Sequence, residues 1–249
     1  MTAVRFDPRE TPRRYGNAIA VLILITVVFG GLGESYIPGR IIVTGDAAAT
    51  ARNIVDHPLL FRAGFATYLV EGICDIALSV LFYLLLRPVS RSLALFAAFL
   101  GVFSTAMYAV AEAFYFAPSI ILLNNADYLK SFTPEQLTGL AYLSLRMFTR
   151  VAGLFLGVYG LATLIRGILI YRSTYLPRTI GALFVIGGLS FIAATLTTVL
   201  APAYFSNVFL ILMAPAGLSL MVWLFIRGID EDKWRAVSGS LLPLADRMM

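Results

Sequence analysis

The chain has 249 residues, of which 59% are hydrophobic and 13% charged, and its mean hydropathy is +0.86. Too little polar surface is available to cover a core of that size in water, which excludes an ordinary soluble domain and points to an all-α, polytopic membrane protein. The formal charge of +5 and isoelectric point near 9.5 do not indicate nucleic acid, because the basic residues flank apolar segments, where they orient helices and meet lipid headgroups.

A single cysteine, Cys74, and a single histidine, His57, allow neither an internal disulfide nor a soft-ligand metal centre, so no metal and no cofactor is expected. The N-terminal segment 1–16 holds Arg5, Arg9, Arg13 and Arg14 and precedes an apolar run at 17–36, about 20 residues, enough for one crossing. Gly30, Gly31 and Gly33 lead into Glu34 and Tyr36 rather than a small-residue cleavage site, so the run reads as a retained helix and not a signal peptide. In the interval 37–60, Gly45 and Asp46 form a turn and an N-cap for a short helix at the membrane surface, which Pro58 stops.

The second crossing, 61–86, carries Glu71 and Asp75 and ends in Arg87, Pro88 and Arg91. A third follows at 93–117, with Thr105, Tyr108, Glu112 and Tyr115 along one face, and the chain is expected to fray or bend over 118–133. Thr133, Pro134 and Gln136 are a capping threonine, a first-turn proline and a reciprocal capping glutamine. They open a helix running to about Arg172, roughly 55 to 60 Å if unbroken, so its start projects beyond the bilayer unless it tilts or breaks. The fifth and sixth crossings fall at 179–200 and about 204–226, joined by a tight APAY turn, and Pro215 is expected to kink the last. The transmembrane domain thus spans 17–228, and 229–249 is a charged tail. No internal repeat is evident, so the inverted-repeat plan of many transporters is not supported.

Thirteen basic residues fall on one side: Arg5, Arg9, Arg13, Arg14, Arg87, Arg91, Arg166, Arg172, Arg178, Arg227, Lys233, Arg235 and Arg247. Arg40, Arg52, Arg62 and Lys130 fall on the other. That imbalance places both termini in the cytoplasm, with six crossings.

This topology sets Glu71, Asp75, Glu112, Arg146 and Arg150 at a common depth in the outer half. A charged side chain near mid-bilayer costs at least about 2.5 kcal/mol on insertion scales, so these groups need partners, water or a ligand. Glu71 with Asp75, and Arg146 with Arg150, are i,i+4 pairs that each share a helical face. The arginine face continues through Tyr142, Thr149, Gly153, Gly157 and Gly160, and the GxxxG spacing from Gly153 to Gly157 is read as packing within the chain rather than between chains. The expected result is a polar centre of Glu71, Asp75, Tyr108, Glu112, Tyr142, Arg146 and Arg150, with Glu34 and Arg62 near its mouth. A structural clamp of mutually neutralising charges is weighed equally against a ligand site. Trp223 and Trp234 read as interface anchors.

The segments GDAAATARNI at 45–54, LFRAGFATYLVEGICDIALSVLFYLLLRPVSRSLALFAAFL at 60–100, FTPEQL at 132–137 and YRSTYLPRTIGALFVIGG at 171–188 resemble the bacterial membrane family catalogued as domain of unknown function 4386. The likeness runs from about residue 15 to 228 and implies the six-helix plan but no activity. Family members often carry a histidine in the fourth helix, where this chain has the Arg146 to Gly160 face, and an acid near the place of Gly217. Those departures turn the expectation from metal or proton chemistry to an anion-accepting or charge-balanced pocket.

Three functions are compatible with these residues. The first is a small-molecule or lipid-binding protein, in a transport-related role, with Arg146 and Arg150 holding an anion and the acids balancing charge. The second is a non-catalytic membrane partner or sensor with a structural charge cluster. An intramembrane enzyme using Asp75 or Glu112 is the least supported, because no nucleophile, base and orienting group are spaced for catalysis, and no catalytic residue is assigned.

Overall fold

The computed structural model describes residues 11–124, 126–201, 204, 206 and 208–240, and among them only helices, turns and loops occur. Arg5, Arg9 and Arg247 of the basic count, and Pro202 and Ala203 of the expected turn, lie outside the described residues.

The first long helix, α1 (Pro12–Gly30), passes through a π-helical segment, Gly31–Tyr36, into α2 (Ile37–Ile41). Asp46 caps α3 (Ala47–Asp56) as expected: its Oδ1 accepts from the Ala49 N–H at 2.8 Å, and Gly45 takes a positive φ of 86° in the preceding turn. The chain then runs through α4 (Pro58–Leu86) and α5 (Arg91–Leu123). The loop expected within 118–133 begins only after Leu123, since α5 continues through Pro118 and the apolar SIILL run. A 3-10 turn at Asp127–Ser131 precedes α6 (Pro134–Arg172). Its capping box is formed in full: the Thr133 N–H donates to Gln136 Oε1 at 2.8 Å and the Gln136 N–H donates to Thr133 Oγ1 at 3.3 Å. α7 (Arg178–Leu200), α8 (Val208–Ile226, with Pro215 inside it) and α9 (Glu231–Ser240) follow.

Among the described residues five helices are long and apolar enough to cross a membrane: 12–41, α4, α5, α6 and α7. Ile73, Phe99, Phe103 and Ile211 stand exposed while Ser79, Ser104, Glu112 and Arg166 are buried. That inversion of the soluble pattern is what lipid-facing helices require.

The residues fall into two compact units. One comprises the described residues up to 24, those of 76–103 and those from 156 onward. Its core includes Ile19, Phe82, Leu85, Phe184, Leu220 and Trp234. Within it α6 and α7 meet along a glycine seam: a Cβ on Gly160 would lie 2.8 Å from the Gly188 carbonyl oxygen, and one on Gly167 2.9 Å from that of Gly181. Gly157 approaches Thr195 in the same seam, so this face packs within the chain, as the sequence suggested.

The α9 helix was not anticipated. The Lys233 N–H donates to Asp230 Oδ1 at 3.1 Å at its start, and it brings Trp234 into the core, where the indole N–H donates to the Leu85 carbonyl at 3.0 Å. Trp234 is therefore a buried capping group rather than an interface anchor.

The second unit, 25–75 and 104–155, has an aromatic core of Phe61, Tyr68, Tyr108 and Tyr115 with Ile37, Ile41, Ile54 and Leu145.

Candidate functional site

Within the second unit, glycines bring α4 and α5 close enough to the first long helix for side chains to converge. A Cβ on Gly33 would meet Thr67 Oγ1, one on Gly64 would meet the Tyr115 hydroxyl, and one on Gly30 would lie 3.0 Å from Glu71 Oε1. The absence of a side chain at these three positions admits a polar cluster.

Tyr68 lies at the middle of it, fully buried, with its hydroxyl donating to the Gly33 carbonyl at 2.7 Å. Tyr108 and Tyr115 stand edge-on to it, with ring centroids 5.9 and 5.1 Å away, and Phe148 and Phe155 close the aromatic group. Glu34, Glu71 and Glu112 lie within electrostatic reach of the Tyr68 phenol, and Glu71 also within reach of Asp75. Tyr108 donates to Glu34 Oε1 at 2.9 Å. Glu34 is thus part of the cluster, carried there by the π-helical segment, a distortion often found at functional sites.

One carboxylate of this cluster, Glu71, has a buried oxygen, Oε2, with no donor among the described residues. Glu112 is only 5% exposed. The Tyr115 hydroxyl, like Glu71 Oε2, is buried and unpartnered among the described residues.

Four of the seven expected residues, Glu71, Asp75, Tyr108 and Glu112, therefore come together. The other three do not join them. Arg146 and Arg150 are exposed on α6, and among the described residues neither pairs with Glu71, Asp75 or Glu112. Their i,i+4 spacing does place them on one face, but that face turns away from the carboxylates. Tyr142 serves a loop: its hydroxyl oxygen accepts from the Gly45 N–H at 2.8 Å. Arg62, expected near the mouth, is exposed. The charge-balanced arrangement of three acids with two arginines is thus not the one formed.

Sequence reasoning also missed Arg166. Its position near the end of α6 suggested a headgroup contact, yet it is 3% exposed, donates to Ser79 Oγ at 3.0 Å and lies 4.9 Å from the Phe82 ring centroid. The available signal was Gly101, across which the guanidinium passes; a Cβ there would come 2.5 Å from its Nη2.

Among the described residues no group of three or more His, Cys, Asp or Glu is placed to hold a metal ion. A cleft of about 620 Å³ opens elsewhere in this unit, lined by Arg52, Val55, Asp56, Leu122, Lys130 and Leu137 among others, and none of the seven expected residues lines it. What the acid–aromatic cluster presents is carboxylate oxygens beside aromatic rings, which is the chemistry that holds a positively charged organic group.

A family model described as Domain of unknown function (DUF4386) matches residues 18–228. No curated protein and no solved structure matches the chain.

Proposed function

The chain belongs to the family of domain of unknown function 4386, and we propose that it is a small-molecule or lipid-binding protein of the bacterial inner membrane whose acid–aromatic centre receives a positively charged group. In this reading α8, 19 residues long, supplies a sixth crossing, both termini are cytoplasmic and the centre lies in the outer half. The observation that carries the proposal is a pair of buried acids, Glu71, whose Oε2 has no hydrogen-bond partner among the described residues, and Glu112, which is 5% exposed. A buried acid of that kind costs several kcal/mol, and a protein that only needed packing there would do as well with an apolar side chain. Carboxylates of Glu34, Glu71 and Glu112 around Tyr68 offer charge, and the rings of Tyr108, Phe148 and Phe155 offer an apolar wall. The preferred ligand is therefore an organic ammonium, free or as part of a lipid, and not the anion that the two arginines suggested.

The test is thermal stabilisation of the purified protein by a panel of amines, quaternary ammonium compounds and matched carboxylates. Cation-selective stabilisation that disappears in Glu112→Gln supports the reading. Equal response to cations and anions, or a response that survives the substitution, rejects it in favour of a structural cluster and a partner or sensor role.

A further inference from the structure

Arg146 and Arg150, left outside the acid–aromatic centre, carry an inference of their own. Both are exposed, one turn apart on α6, and among the described residues neither makes a hydrogen bond or an ion pair. Leu143, Met147 and Leu154 stand exposed around them. A surface that mixes unpaired guanidiniums with exposed aliphatic side chains fits the boundary between headgroups and acyl chains.

The length of α6 gives the same depth. The helix ends at Arg172, and a hydrocarbon core of roughly 30 Å takes about 20 helical residues, so the opposite boundary of the core falls near residue 152. At about 1.5 Å per residue, Arg150 then lies about 3 Å and Arg146 about 9 Å beyond that boundary, at headgroup level. Side chains four apart on a helix are neighbours, about 6 Å between Cβ atoms, so the two guanidiniums can hold one phosphate group between them. Arginine offers paired N–H donors to phosphate oxygens, which a single cationic point charge does not.

We propose that Arg146 and Arg150 form a binding site for the phosphate of an anionic phospholipid on the lipid-facing side of α6. Charge complementarity selects the occupant: the guanidiniums meet the phosphate, and Leu154, inside the boundary, meets the acyl chain below it. A net negative lipid is preferred over a zwitterionic one because α6 carries no acid within two turns of the pair to hold an ammonium group. This site is independent of the acid–aromatic centre and stands whether or not that centre binds a cation.

The experiment is native mass spectrometry of the full chain in a neutral detergent, titrated with phosphatidylglycerol or phosphatidylcholine. Wild type, the double variant Arg146→Gln with Arg150→Gln, and Glu112→Gln are compared. Phosphatidylglycerol affinity should fall about thirtyfold in the double variant, roughly fivefold per cation, while phosphatidylcholine binding to the double variant and phosphatidylglycerol binding to Glu112→Gln stay as in wild type. Because both arginines are exposed, the double variant should keep the thermal midpoint of wild type. If it does not fold, the wild type gives a second reading, since phosphatidylglycerol binding through these charges must weaken as salt rises. Unchanged phosphatidylglycerol affinity in the folded double variant overturns the site. So does displacement of the lipid by millimolar inorganic phosphate, which marks a free-anion site, or loss of self-association in the double variant with no loss of lipid, which marks a protein contact.

Discussion

The Tyr108 hydroxyl donates to Glu34 Oε1 at 2.9 Å and so ties α5 to the π-helical segment of the first long helix. A hydrogen bond to a carboxylate in a partly buried setting contributes about 1.5–3 kcal/mol. Tyr108→Phe should lower the thermal midpoint in detergent by an amount corresponding to that range. Glu34→Gln keeps an oxygen acceptor for Tyr108 and should cost less. Equal losses in the two variants would mean that the phenol contributes through packing against Phe155, 4.4 Å away between centroids, rather than through its hydroxyl.

Glu112 should behave in the opposite way. It is 5% exposed among apolar and aromatic side chains, and the desolvation of a buried carboxyl group is a burden on the fold. Glu112→Gln should raise the thermal midpoint, by an amount equivalent to about 1–2 kcal/mol, while abolishing stabilisation by ammonium ligands. A variant both less stable and unresponsive would show instead that Glu112 holds helices together.

How far the sequence carries depends on what kind of signal each residue gives. Caps and crossings depend on local chemistry and apolar length, so Asp46, the Thr133–Gln136 box and the bounds of α6 were all readable. The acid cluster was half readable, because a carboxyl group inside an apolar run announces its own burial. Arg146 and Arg150 gave the wrong direction: i,i+4 spacing says that two side chains share a face but not whether that face looks inward, and the exposed sector of α6 is set by its contacts with other helices. Glu34 was placed only at the mouth because a regular helix was assumed where the chain forms a π-helical segment. Arg166 and Trp234 looked interfacial by position, and only their long-range donors' targets, Ser79 and the Leu85 carbonyl, show them to be internal.

The Gly101 position tests whether the buried Arg166 is as constrained as it looks. A methyl group there would lie 2.5 Å from Arg166 Nη2 and would also meet Ser79 Oγ, so it would push apart two groups that are bonded to each other. Gly101→Ala should destabilise by about 1–3 kcal/mol, the usual range for overpacking. Gly139, in α6 with nothing within 4 Å of an added Cβ, is the control, and Gly139→Ala should stabilise by about 0.5–1 kcal/mol through helix propensity. Denaturation of both variants in the same detergent decides the point; similar shifts in the two would mean that Arg166 moves aside freely.

The Leu85 carbonyl joins the end of α4 to two distant donors. It belongs to the last turn of that helix, where carbonyl groups lack intrahelical partners, and it accepts from the Tyr175 hydroxyl at 2.8 Å and the Trp234 indole N–H at 3.0 Å. Either Tyr175→Phe or Trp234→Phe alone leaves one donor and should cost about 0.5–1.5 kcal/mol. Removing both leaves a buried carbonyl without either of these donors and should cost more than the sum, so a double-mutant cycle reads the shared acceptor directly. Titration separates the two donors. Burial pushes the Tyr175 phenol upward from its ordinary value of 10.0, so the folded protein favours the neutral, donating form. With the folded value above the unfolded one, that contribution is fully present below about pH 10 and is lost as pH rises from there towards the folded value. The thermal midpoint should therefore decline above pH 10 in wild type and in Trp234→Phe, and less steeply in Tyr175→Phe. An equally steep alkaline decline in Tyr175→Phe would assign it to other groups and leave the indole as the donor that matters at the end of α4.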